Sequence, residues 1–261
     1  MHLSCCAYSY RKELQGGAMT LHDFVVTART IGLDAVELTS YYFSDTERAT
    51  LHDLKRWVFR HGLSVSGTAV GGAFTEPDEG KRAQHIAMVK EWIDHSVTLG
   101  SPCMRVFAGP VPEGETEEKA RGRAVEGMKE CAAYAAERGV LLAVEDHGGI
   151  TATAEQVLKL VEMVGSDWLG LNLDCGNFRA DPYREIEMCA PHALTTHVKV
   201  TSDSPQGRFR LDYRRIIDSL DKAGYHGPLS IEYEESDPAT EGVPRFAAYL
   251  RGALTVAGRG R

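Results

Sequence analysis

Short apolar runs with β-type side chains recur along this chain at intervals of about thirty residues, and a longer helical stretch follows each run. Such alternation is typical of βα units, whose strands pair in parallel. Eight runs are present, which is the number that a closed (β/α)8 barrel requires. The predicted strands are Leu3–Tyr8, Ala35–Thr39, Ser64–Ala69, Cys103–Phe107, Leu141–Glu145, Gly170–Asp174, Thr195–Val200 and Leu229–Tyr233.

The stretches between these runs have the pattern of amphipathic helices, with apolar residues at three- and four-residue spacing. Two such stripes are Ile86, Val89, Ile93 and Val97, and Val125, Met128, Ala132 and Ala135. Glycine often stands just before the next strand, where the left-handed conformation ends a helix. These glycines are Gly32, Gly62, Gly100, Gly139 and Gly224.

One domain accounts for all 261 residues, because a barrel of this kind uses about 250 residues. The apolar fraction of 43% and the charged fraction of 25% are typical of a globular protein with a large core. An open doubly wound sheet would place a glycine-rich phosphate loop after the first strand, but the chain continues there without one, from Ser9 to Leu14. The sequence therefore predicts one α/β domain, a (β/α)8 TIM barrel over residues 1–261.

Residues that bind metals occur at the ends of four consecutive predicted strands. Glu145 ends the fifth strand and Asp174 the sixth, while His197 lies in the seventh and Glu232 in the eighth. The carboxyl ends of barrel strands form the face on which such enzymes carry their active sites. Three carboxylates and one imidazole suit Mn²⁺, Mg²⁺ or Co²⁺ better than a thiolate-rich zinc site. We therefore predict that these four side chains bind one divalent cation.

The segments VEDHGG, NLDCGNF, THVKV and IEYEE, in that order, resemble the xylose-isomerase-like sugar isomerase and epimerase superfamily. The opening run CCAYSYR and the segment GLDAVELTS are similar to its first two strands, so the resemblance spans nearly the whole chain. It implies one divalent ion, Mn²⁺ before Mg²⁺, Co²⁺ or Zn²⁺, on Glu145, Asp174, His197 and Glu232. It also implies that Glu145 and Glu232 are the catalytic acid and base.

The expected chemistry is proton transfer next to a carbonyl, through an enediolate that a divalent cation stabilises. With a carboxylate on each face of a ketose or keto-sugar, removal and return of the proton would invert the carbon. Return to the adjacent carbon would instead isomerise the sugar. A metal-dependent lyase or dehydratase begins with the same abstraction and is the main alternative.

Other polar residues near strand ends are candidates for substrate binding. Lys199 follows two positions after His197, so it could neutralise an oxyanion or extend along the barrel rim. Arg105 lies inside the fourth strand and needs a buried partner, either Glu37 or Glu145.

The loop after the fifth strand supplies His147, next to Gly148 and Gly149, as a further contact to the substrate. Five residues near strand ends are expected either to form an apolar wall against the sugar or simply to pack in the core. These are Tyr8, Tyr10, Thr39, Phe74 and Phe107.

Two features bear on the substrate. Asn177 stands three residues after Asp174, where several ketose epimerases carry His, and it can donate a hydrogen bond but cannot titrate. The acidic loop from Glu234 to Pro238 should repel a phosphate and favours a neutral sugar, while Arg208 and Arg210 keep a carboxylate or phosphate possible.

The formal charge of −8 argues against nucleic acid as a partner, since the basic residues form no large patch beyond Arg208, Arg210 and the tail arginines Arg259 and Arg261. An abasic-site endonuclease is therefore only a remote alternative.

The six cysteines form no C-x-x-C pair and should be free thiols. With neither a secretory pattern nor a membrane-length apolar run, we expect a cytoplasmic protein that acts on a small sugar and can form homo-oligomers.

Overall fold

A closed barrel of eight parallel strands forms the centre of the computed structural model, which describes residues 1–258. Around the barrel the strand order is β1, β10, β7, β6, β5, β4, β3, β2, so the last βα unit closes on the first. The prediction of a single (β/α)8 barrel is confirmed. Arg259 and Arg261 lie outside the described residues. The strands are β1 His2–Cys6, β2 Ala35–Thr39, β3 Ser64–Ala69, β4 Cys103–Phe107, β5 Leu141–Glu145, β6 Leu169–Asp174, β7 Ala193–Val198, β8 Thr201–Ser204, β9 Gly207–Arg210 and β10 Pro228–Ile231.

The predicted bounds of β2 to β5 are correct. β1, β6, β7 and β10 begin one or two residues earlier than predicted, and β1, β7 and β10 also end two residues earlier. β1 stops at Cys6 because Ala7–Tyr10 forms a 3₁₀ helix. β7 stops at Val198, and β10 stops at Ile231, so Lys199 and Glu232 both lie just beyond a strand end. Their side chains therefore belong to the carboxyl-terminal face of the barrel rather than to its interior layers.

The helices surround the barrel and bury their apolar stripes against the strands. All five glycines predicted to end helices have positive φ, between 68° and 79°. The stripe of α5 is buried as predicted, but Val97 of α4 is exposed, and Trp92 and Ser96 take its place in the core. The helices are α1 Arg11–Gln15, α2 Leu21–Thr30, α3 Arg48–Arg60, α4 Glu79–Leu99, α5 Glu117–Arg138, α6 Ala154–Val164, α7 Pro182–Cys189, α8 Tyr213–Lys222 and α9 Ala239–Val256, with 3₁₀ helices at Ala7–Tyr10, Ser40–Tyr42 and Ala190–His192.

An antiparallel hairpin, β8 and β9, follows β7 and was not predicted. It pairs Thr201 with Arg210 and Asp203 with Arg208, and it stands beside the carboxyl ends of β7 and β10. All six cysteines are buried free thiols, as predicted. Within residues 1–258 no helix is both long and apolar enough to cross a membrane.

Candidate metal centre

The four predicted metal ligands meet at the carboxyl-terminal face of the barrel. One ligand atom from each of Glu145, Asp174, His197 and Glu232 can be chosen so that all four lie within 4.8 Å of one another. His197 Nδ1 lies 3.4 Å from Glu145 Oε2, 3.5 Å from Glu232 Oε1 and 3.9 Å from Asp174 Oδ2. All four side chains are buried. The four predicted residues thus lie together, with Glu145, Asp174 and His197 on β5, β6 and β7 and Glu232 just after β10.

This cluster fits a divalent cation on two grounds. His197 Nδ1 has no hydrogen-bond partner in the described part of the chain, although three carboxylates surround it. Buried carboxylates repel one another unless a positive charge lies between them. Oxygen and imidazole donors in this proportion suit a hard or borderline divalent ion.

Glu37 holds the far side of the His197 ring. Its carboxylate lies 2.9 Å from His197 Nε2, and Ser230 Oγ donates to it at 2.6 Å. Burial acts to lower the pKa of His197. The nearby carboxylates of Glu37 and Glu232 outweigh this effect, so the pKa lies well above its ordinary value. Because Glu37 accepts a hydrogen bond from Nε2, the ring is held with Nδ1 facing the carboxylate cluster. Metal-binding histidines are commonly oriented in this way, by a carboxylate on the far side of the ring.

Arg105 pairs with Glu145, so the second of its two predicted partners is the correct one. Arg105 Nε lies 3.2 Å from Glu145 Oε2, and Asn172 Nδ2 donates to the same oxygen at 2.9 Å. Burial acts to raise the pKa of Glu145. This pKa nevertheless lies below its usual range, because Arg105, His197 and Lys199 favour the ionised form. Glu145 is therefore held as a carboxylate. Asn172 was missed, although its position two residues before Asp174 places both side chains on one face of β6.

Lys199 reaches into the cluster. Its Nζ lies 3.1 Å from Asp174 Oδ2, 3.2 Å from Glu232 Oε2 and 2.7 Å from Glu234 Oε2. Its chain crosses Gly176, where a Cβ would meet Lys199 Cδ at 2.8 Å. Lys199 therefore points into the carboxylate cluster and does not extend along the rim, while its neutralisation of an oxyanion stays a prediction.

Each of the two glutamates has its second oxygen directed at a pair formed by Asn177 and Lys199. Asn177 Nδ2 donates to Glu145 Oε1 at 3.4 Å, and Lys199 Nζ donates to Asn177 Oδ1 at 3.1 Å. Lys199 also contacts Glu232 Oε2. The oxygens Glu145 Oε2 and Glu232 Oε1 face His197 Nδ1, so the two oxygens of each carboxylate have different surroundings.

Asp146 supports the cluster from behind. Its Oδ1 accepts a hydrogen bond from the backbone N–H of Asp174 at 2.8 Å, and its side chain is buried. Burial and the neighbouring Asp174 raise the pKa of Asp146. Burial likewise raises the pKa of Asp174 to about 7, so removing these negative charges from water without a cation is unfavourable.

His147 is exposed and packs against Phe107 in a tilted arrangement, with ring centroids 4.4 Å apart. Gly148 and Gly149 both have positive φ, and Gly149 packs against the backbone of Gly109 rather than leaving open space. His147 is thus placed at the rim above Glu145, accessible to a ligand.

Of the five candidates for an apolar wall, Tyr8 and Phe107 are partly exposed, and the other three are buried in the core. Those three are Tyr10, Thr39 and Phe74.

The carboxylates of the acidic loop after β10 are paired with cations. Lys199 pairs with Glu234, Arg208 lies 3.0 Å from Glu235, and Arg245 pairs with Asp237. The negative charge of this loop is therefore smaller than its sequence alone indicates, and its repulsion of a phosphate stays a prediction. Arg208 lines a cavity together with Lys199 and Asn177.

The fold and this cluster define the class of protein: a (β/α)8 barrel with a carboxylate and imidazole centre on the face where such barrels carry their active sites. A family model described as xylose isomerase-like TIM barrel matches residues 25–253, so the chain belongs to that family. The resemblance seen in the sequence is confirmed.

Curated relatives include the L-ribulose-5-phosphate 3-epimerase UlaE of Escherichia coli O157:H7, which is 26% identical over 95% of each chain. Relatives with this name confirm that the chain is an enzyme of the sugar isomerase and epimerase class.

Solved structures show the same fold. D-psicose 3-epimerase of Clostridium cellulolyticum H10 has a TM-score of 0.79 at 16% identity over 100% of both chains. The IOLI protein with a bound zinc atom has a TM-score of 0.81 at 18% identity, over 100% of this chain and 99% of the other.

Proposed function

We propose that this protein is a divalent-metal-dependent epimerase or isomerase of ketoses, with Glu145 and Glu232 as its proton-transferring groups. One observation carries the proposal: both glutamates present one oxygen to His197 Nδ1 and the other to the Asn177 and Lys199 pair. A carboxylate with this division can bind a cation and still exchange a proton with a substrate.

Glu145, Asp174, His197 and Glu232 would hold the cation, with Mn²⁺ preferred and Mg²⁺, Co²⁺ or Zn²⁺ as alternatives because of the oxygen-rich donor set. A bound divalent ion would polarise the substrate carbonyl and stabilise negative charge on its oxygen.

The residues of the chain then divide the remaining work. One of Glu145 Oε1 and Glu232 Oε2 removes the proton from the carbon next to the carbonyl, and the other returns a proton to the opposite face. Lys199 and Asn177 donate to the substrate oxygens on which charge develops. Arg105 keeps Glu145 ionised and in place through the ion pair at 3.2 Å. His147 and Phe107 cover the sugar at the rim.

Solvent deuterium exchange tests this function directly. The holoprotein is incubated in D₂O with a panel of free and 5-phosphorylated ketoses, because the curated relatives are named for L-ribulose 5-phosphate and the psicose epimerase for a free sugar. We expect deuterium at the carbon next to the carbonyl, with an epimer or isomer as product and no loss of water. Loss of water would instead identify the lyase or dehydratase alternative.

Matched variants assign the roles. Glu145→Gln and Glu232→Gln should each lower the exchange rate by at least a hundredfold, roughly the contribution of a positioned acid or base. Glu187→Gln, an exposed glutamate of α7, is the control and should exchange like the parent. Exchange by Glu145→Gln and Glu232→Gln at the parent rate, or no exchange with any ketose and any of the four metals, would overturn the proposal.

A further inference from the structure

A cavity of about 310 Å³ opens next to the proposed metal centre. Lys199, Asn177 and Gly176 form its inner end, and these residues adjoin Asp174 and Glu145. The outer end is formed by the β8–β9 hairpin and the loops after β6 and β10, and includes Arg179 and Arg208. A sugar bound at the metal centre would therefore extend its far end toward these arginines.

Two guanidinium groups in this cavity have no carboxylate partner in residues 1–258. Arg179 is exposed and forms no hydrogen bond or ion pair within them. Arg11 donates to two backbone carbonyls, those of Tyr8 and Tyr233, and lies over the Tyr8 ring at 4.7 Å. Backbone carbonyls do not cancel a full positive charge, so both arginines contribute positive potential to the cavity.

The carboxylates of the cavity do not offset these two arginines completely. Glu234 is engaged by Lys199 and Glu235 by Arg208, which leaves Asp203 on the exposed hairpin. Lys199 also contacts Asp174 and Glu232, so its charge is not available to the outer cavity. Apart from Lys199 and its partner Glu234, the lining has three cationic side chains, Arg11, Arg179 and Arg208, and two carboxylates, Asp203 and Glu235. An anionic group in the outer cavity would be attracted, in contrast to the expectation drawn from the acidic sequence of the loop.

We propose that the outer cavity is a subsite for the phosphate monoester of a ketose phosphorylated at its far end, with Arg179 as the residue that determines this specificity. The proposal rests on the proposed function, since it names the substrate class of the same site. A phosphate dianion has three oxygens that can accept from several guanidinium groups at once, whereas a neutral hydroxyl leaves the charge of Arg179 and Arg11 unused. Arg179 has no internal partner to give up, so it can turn to the ligand at little cost.

Binding of a pentitol 5-phosphate, which has no carbonyl and cannot react, tests the subsite apart from catalysis. We expect calorimetry on the holoprotein to show tighter binding of this compound than of the unphosphorylated pentitol. Its Kd should rise with ionic strength, because charge attraction is screened by salt. Arg179→Gln should weaken its binding by roughly tenfold to a hundredfold, the effect of a charged hydrogen bond.

Arg184→Gln is the matched control, because Arg184 is an exposed arginine five positions further along, on α7, outside the cavity. In turnover, Arg179→Gln should lower the ratio of kcat/KM for phosphorylated over free ketose, and Arg184→Gln should keep the parent ratio. Equal binding of pentitol and its phosphate, equal effects of the two variants, or preference for a pentonate over the phosphate would overturn the subsite. Absence of deuterium exchange with every ketose, beside intact phosphate binding, would refute the proposed function and leave the subsite standing.

Discussion

Replacing Glu37 by Gln tests whether the buried carboxylate behind His197 sets metal affinity. Glu37 accepts from His197 Nε2 at 2.9 Å and from Ser230 Oγ at 2.6 Å, and its side chain is only 3% exposed. Gln fills nearly the same space, and its amide oxygen can still accept the Nε2 proton. The variant therefore removes the negative charge while the hydrogen bond to the ring is kept.

The expected magnitude follows from the position of that charge. A carboxylate on the far side of a metal-binding imidazole orients the ring and makes its other nitrogen a stronger donor, and its removal weakens metal binding by about tenfold to a hundredfold. This range corresponds to about 1.4–2.7 kcal/mol. We expect the Kd of Glu37→Gln for Mn²⁺ to rise by this factor, and that of Glu145→Gln, which loses a proposed ligand, to rise further.

Competition with a fluorescent chelator measures these affinities, and circular dichroism verifies that each variant is folded. Glu185→Gln is the control, since Glu185 is also buried but accepts from the backbone of Ala154 and Asp181 outside the barrel. It should lower the free energy of unfolding and leave the Kd for Mn²⁺ unchanged. Parent affinity in Glu37→Gln, or an equal loss in Glu185→Gln, would refute the assigned role of Glu37.

Three further outcomes are expected. Gly109→Ala should lower the free energy of unfolding in urea by about 1–3 kcal/mol, because φ is +119° there and a Cβ would meet Thr75 Oγ1 at 2.3 Å; stability equal to the parent would show that the loop relaxes. Gly122→Ala in α5 should raise that energy by about 0.5–1 kcal/mol, since no atom lies within 4 Å of the added Cβ and alanine favours a helix; a destabilised variant would contradict the local geometry. Free Mn²⁺ at about a hundred times its Kd should stabilise the protein by about 2.7 kcal/mol and raise Tm by about 5–10 °C in calorimetry, reversibly with chelator; a Tm that does not respond to metal or chelator would count against the metal centre.

The strands were predictable where a short apolar run lies between polar or glycine-containing loops, as in Ala35–Thr39 and Leu141–Glu145. Prediction failed at the end of β1 because the apolar and aromatic residues of Ala7–Tyr10 fit a strand and a buried 3₁₀ helix equally well. The β8–β9 hairpin was missed because its residues are mostly polar and exposed, so neither strand has the apolar pattern of a barrel strand, although Pro205 and Gly207 signal the turn between them.

The proximity of the four proposed ligands was predictable because the barrel places the carboxyl end of every strand on one face, so chain position alone determines which residues meet. The partner of Arg105 was not predictable, since Glu37 and Glu145 both belong to strands near β4, and only the barrel geometry shows that Glu145 lies 3.2 Å from the guanidinium. The same limit applies to the acidic loop. Its repulsion of phosphate was inferred from the segment Glu234 to Pro238 alone, while the cations that pair with Glu235 and Asp237 come from β9 and α9.

The charges of the buried site also favour a cation there. Two permanent cations, Arg105 and Lys199, oppose four buried carboxylates within the network of contacts around His197, which are Glu37, Glu145, Asp174 and Glu232. Lys199 shares its charge between Asp174, Glu232 and the loop residue Glu234, so it does not neutralise the first two by itself. Burial raises the pKa of Asp174 to about 7, which means that this carboxylate is costly to ionise without a further positive charge beside it. A divalent cation bound between these carboxylates would remove that cost.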